Sequence, residues 1–86
     1  MAIRFIGIDP DTKGTGSPTV WVDPATNDIV IQGWKASEDM RRQVTATPAP
    51  DHAAGIPEGE EVIIIPARMV PALRKACDDV ERLRVA

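Results

Sequence analysis

Seven side chains in this 86-residue sequence have chemistry beyond packing within reach: Asp9, His52, Cys77, the neighbours Asp78 and Asp79, and the tryptophans Trp21 and Trp34. Asp9 closes the run Phe5-Ile6-Gly7-Ile8-Asp9-Pro10, and Asp11-Thr12-Lys13-Gly14-Thr15-Gly16 follows it. By itself this reads as a strand ended by Asp-Pro. Two-metal cleavage of a phosphodiester needs several carboxylates from separate elements, converging on ions about 4 Å apart. Asp78 and Asp79 are the later candidates, and helical spacing puts them opposite the apolar stripe of the last predicted helix. Gly14-Thr15-Gly16 lacks a Gly-Lys-Ser/Thr run opening a helix behind it, so it reads as a turn rather than a phosphate cradle.

His52 is the single histidine and stands beside Asp51 in a segment rich in proline and alanine. With no further ligand to join it, it reads as a solvated loop residue. Cys77 falls on an apolar stripe, which predicts a small buried hydrophobe rather than an activated thiolate. No metal site, cofactor or catalytic group is expected. The tryptophans differ in kind, because a large rigid ring contributes much contact area for little lost entropy.

The element that positions them is a predicted β-hairpin, Thr19–Asp23 and Asp28–Trp34 around Pro24-Ala25-Thr26-Asn27. Its arms are rich in β-branched residues and its centre holds turn formers. A four-residue loop sets Asp23 opposite Asp28, Trp21 opposite Val30 and Thr19 opposite Gln32. Alternation then gathers Val20, Val22, Ile29 and Ile31 on a core face. Thr19, Trp21, Val30, Gln32 and Trp34 fall on the other, and Trp21, Val30, Gln32 and Trp34 are the candidate partner-binding residues.

Around the hairpin, Ile3–Asp9 reads as a first strand and Glu61–Ile65 as a central last strand. Ser37 caps a short helix over Ser37–Gln43 with acids in its first turn and arginines in its last. Residues 44–60, with Pro48, Pro50 and Pro57, read as a mobile loop. A final helix from near Pro71 towards Arg84 carries Leu73, Ala76, Cys77, Val80 and Leu83 on one stripe. Pairs four apart, Arg74 with Asp78, Lys75 with Asp79 and Asp78 with Arg82, are placed to bridge on its outer side. The expected fold is one small α+β domain over residues 1–86. It has three or four mostly antiparallel strands, a short helix after the hairpin, and the C-terminal helix packed on one face.

Composition narrows the function classes. The formal net charge is -3 and the ten Lys and Arg are scattered, which argues against tight direct binding of nucleic acid. One cysteine excludes an internal disulfide and suits a reducing, cytoplasmic setting. The longest aliphatic run, Val62 to Ile65, is far too short to span a bilayer, so a soluble, unexported protein is expected. At this length the core is thin, and a partner or a homodimer is expected to help cover it.

Two resemblances bear on function. Phe5 to Gly16 is similar to the opening strand of the RuvC and ribonuclease H-like nucleases, which implies a metal-binding role for Asp9; Asp11 departs from that motif, where glycine is the rule. Across most of its length the chain resembles a class of small, uncharacterised actinobacterial proteins, through Phe5–Pro10, Ser17-Pro18-Thr19-Val20, Ile31-Gln32-Gly33-Trp34 and Ile65-Pro66-Ala67-Arg68. In layout it is also similar to BldB-like developmental regulators, which accompany helix-turn-helix transcription regulators. What this implies is a non-enzymatic interaction module, an accessory or antagonist of a transcription regulator. The alternatives are a metal-dependent nuclease centred on Asp9 and a small-ligand binder using Trp21 and Trp34.

Overall fold

The computed structural model describes residues 2–11 and 16–85, with the backbone alone at 83–85. Gly14 and Thr15 of the run read from the sequence as a turn thus lie outside the described residues. The chain divides into two compact units, residues 1–33 with 65–86, and residues 34–64.

The first unit is α+β. Strands β1 (Arg4–Ile8), β2 (Thr19–Asp23) and β3 (Asp28–Gln32) form an antiparallel sheet in that order, and α2 (Val70–Val85) packs on it. The hairpin has the expected register, from Asp23 opposite Asp28 to Thr19 opposite Gln32. Its loop closes because Asp23 accepts from the Ala25 amide on its side chain and from the Asn27 amide on its carbonyl, while Asn27 takes a left-handed φ of 65°. Asparagine tolerates that conformation better than most residues.

β1 joins β2 with a bulge. Phe5 faces Trp21 and Gly7 faces Val20, so Ile6 is the extra residue and its side chain enters the core. Val20, Val22, Met69 and Ala76 complete that buried core, with Ile29, Ile65, Ala72, Leu73 and Val80 packed against it. Gly7 is required by proximity: a Cβ there would lie 2.8 Å from the Ala72 Cβ on α2.

Four expectations about this unit are corrected. The hairpin ends at Gln32, and Trp34 belongs to a different strand. Cys77 is exposed, because the inward stripe of α2 centres on Ala72, Ala76 and Val80 and Cys77 lies about 100° round the helix from Ala76. Asp79, expected on the solvent side, is buried at 7% exposure, because three residues beyond Ala76 it stays close to the stripe, where Arg4 of β1 and Arg82 reach its carboxylate. None of the three expected pairs four apart occurs among the described ion pairs; Arg82 bridges to Asp79, three apart.

The second unit holds a two-stranded antiparallel sheet, β4 (Trp34–Lys35) with β5 (Ile63–Ile64), and α1 (Glu38–Ala46). The aliphatic run is therefore not a central strand. Its two paired residues face Trp34 and Lys35, and Pro66, having no amide hydrogen, cannot extend a ladder. Ser37 caps α1 as expected, its hydroxyl accepting from the Met40 amide at 3.1 Å. The helix runs three residues past Gln43, into the segment read as loop, and Arg41 and Arg42 lie mid-helix instead of in its last turn. None of its residues is buried.

Candidate interaction face

Two features of the first unit stand out chemically: a carboxylate held inside the fold, and an apolar sheet face turned outwards.

The carboxylate is Asp9. Its side chain has no exposure, and the Arg68 guanidinium donates to both oxygens, Nε to Oδ1 at 2.6 Å and Nη2 to Oδ2 at 2.8 Å. The Asp11 amide donates to Oδ1 at 3.0 Å, and the Asp9 amide itself donates to the Pro18 carbonyl at 2.9 Å. This two-pronged pair ties the end of β1 to the 3₁₀ turn Ala67–Met69, which leads into α2. The hydrogen bond to Asp9 raises the Arg68 pKa further above its ordinary value. A carboxylate engaged on both oxygens by a fixed cation is a poorer metal ligand, because the guanidinium already offsets its charge and takes a lone pair on each oxygen. Among the described residues no three His, Cys, Asp or Glu side chains are grouped to hold one. Sequence reading matched the Ile-Pro-Ala-Arg string only as a resemblance; the signal missed was that a buried strand-end Asp needs a cationic partner, and Arg68 is it.

The outward face is built by cross-strand pairing. Phe5, Trp21 and Val30 stand opposite one another across β1, β2 and β3, and so share one side of the sheet. The side chains facing α2, among them Val20 and Val22, are on the other. Ile8, Thr19 and Gln32 form the next row towards one end, and Asp23 beside Asp28 forms the row at the hairpin end. Phe5 is 58% exposed, Ile8 50% and Val30 37%, while Trp21 is half-buried. Isolated exposed apolar residues are ordinary; a contiguous row across three strands is the pattern of a contact surface. Gln32 Nε2 donates to the Ser17 carbonyl at 2.7 Å and Thr19 Oγ1 donates to the same carbonyl at 2.8 Å. Gln32 thus braces the segment leading into β2 as well as edging the face.

Of the four sequence-predicted contact residues, Trp21, Val30 and Gln32 are on this face. Trp34, 42% exposed, lies in the second unit opposite Ile64. Phe5 and Ile8 were missed. The alternation Ile3, Phe5 was visible, but their side of the sheet depends on the register with β2, and the bulge at Ile6 shifts it.

Elsewhere, His52 is exposed, with Nδ1 2.9 Å from the Pro50 carbonyl. Arg41 of α1 donates to Glu61 at 2.7 Å, and that hydrogen bond, with one from the Val62 amide, lowers the Glu61 pKa below its ordinary value. No helix among the described residues is long and apolar enough to cross a membrane. No family model, curated protein or solved structure matches the chain.

Proposed function

We propose that the protein is a non-enzymatic interaction module, binding a protein partner through the outer face of its three-stranded sheet. The observation that carries this reading is the apolar row of exposed Phe5, half-buried Trp21 and exposed Val30 on a sheet whose other side is already covered by α2. Covering that row removes further apolar surface from water, which favours association. The Arg68 clamp on Asp9 weighs against the nuclease alternative, since the carboxylate that alternative needs serves to hold the chain together. The resemblance of the sequence in layout to BldB-like developmental regulators makes a helix-turn-helix regulator the partner we propose to look for.

The test is affinity capture from the parent cell's lysate by the tagged protein, beside a Phe5→Thr/Val30→Thr variant. Threonine keeps strand preference while removing apolar area, so the fold is retained. The parent protein is expected to recover a specific partner, a helix-turn-helix regulator on the fuller reading, that the variant loses, with identical far-ultraviolet circular dichroism for both. Equal recovery by the two, or none by either, would overturn the reading.

A further inference from the structure

Resting on that contact-face reading, we infer that the element this face accepts is a single amphipathic helix of the partner, with Lys or Arg in the turn that lies over Asp23 and Asp28. Three observations carry it: the dimensions of the face, the way its opposite side is covered, and the distribution of its charge.

Three strands place their outer members about 10 Å apart, close to the diameter of one helix with its side chains. Each strand has five residues, and a helix of about three turns spans that length. The inner side of these same strands is covered by one helix, α2, in contact with all three. The outer row Phe5, Trp21, Val30 has the same width, and no helix among the described residues of the first unit covers it.

Charge decides which helix. Asp23 and Asp28, paired across the hairpin, share the side of Trp21 and Val30, so a carboxylate pair borders the apolar row at one end. The strand cation nearest that pair, Arg4 at the same end of the sheet, is turned away: it stands opposite Val22 and donates to Asp79 of α2, on the inner side. No Lys or Arg belongs to the described strand positions of the outer face. A second copy of the same face would therefore bring carboxylates and no cation to meet them, which argues against a face-to-face homodimer. A partner helix with basic residues at one end supplies both the apolar cover and the missing charge.

The experiment uses two synthetic peptides of about 18 residues, long enough to hold helix in water. Both carry leucines at three- and four-residue spacing; one has lysines in its terminal turn and its twin has glutamates there. Each is titrated into the full chain while amide resonances are followed by NMR. The lysine peptide is expected to shift the Phe5, Trp21 and Val30 amides and to bind at least about fivefold more tightly than its twin at low salt, the advantage fading as salt rises. Asp23→Asn/Asp28→Asn should abolish that advantage and leave the fold intact, since asparagine can still accept from the Ala25 amide. Equal binding of both twins at the face would overturn the charge-selected helix while leaving the contact face standing. Binding of neither peptide would overturn the helix, whereas the capture experiment with the Phe5→Thr/Val30→Thr variant judges the contact face separately. A concentration-dependent dimer that Phe5→Thr/Val30→Thr dissolves would overturn it in favour of a second copy.

Discussion

At the scale of single residues, the determining contact is Asp9 with Arg68. Removing one partner of a buried pair leaves an uncompensated charge, whereas removing both charges together costs far less. Arg68→Leu is thus expected to lower the urea midpoint of unfolding more than Arg68→Leu combined with Asp9→Asn, despite the second change. Chemical denaturation of the two variants beside the parent checks this. If the double variant is the less stable one, the clamp on Asp9 is not what holds β1 to the turn before α2. The exposed Cys77 shows the complementary case: a residue type that is commonly buried lies outside, because α2 is rotated so that Ala72, Ala76 and Val80 meet the sheet.

Among elements, the tightest fit is β1 against α2. Gly7→Ala places a methyl group 2.8 Å from the Ala72 Cβ, both on backbones that other contacts hold. The expected loss is about 1–3 kcal/mol, as for other overpacked sites, read from thermal or urea unfolding. In the second unit, α1 is tied to the segment before β5 by Arg41 and Glu61. The Glu61 pKa is lowered, so the ionised form is favoured in the folded state. Its contribution is present above the unfolded-state pKa and is lost as pH falls through the folded one. In a carboxyl-detected NMR titration, Glu61 should therefore titrate below an ordinary glutamate, and Arg41→Ala should move its midpoint upward.

For the molecule as a whole, the two units differ in how they are held. The first has a buried cluster of Ile6, Val20, Val22, Met69 and Ala76, under a three-stranded antiparallel sheet. The second has strands of two residues and a helix with none buried. Opening free energy follows buried apolar contact, so amide hydrogen exchange should be slowest in β2 and α2 and fastest in α1 and β4–β5. Equal protection throughout would mean that the chain opens as one cooperative unit.

Local chemistry alone determined the hairpin: β-branched arms, a Pro-Ala-Thr-Asn loop and period-two alternation specify Val22 opposite Ile29 and Trp21 opposite Val30, because all the interactions involved lie within a few residues. The cap at Ser37, the C-terminal helix and the α+β class were legible for the same reason. What only the tertiary structure decided was everything that depends on partners distant in sequence. Arg68 meets Asp9 across fifty-nine positions and Arg4 meets Asp79 across seventy-five. The bulge at Ile6 selects the side on which Phe5 and Ile8 emerge, and the pairing of Trp34 with Ile64 takes one tryptophan out of the hairpin. Helical period defines which residues share a stripe, but the rotation of that stripe against the sheet follows from the close approach at Gly7 and from the buried charge of Asp79, and neither is written in any local window of the chain.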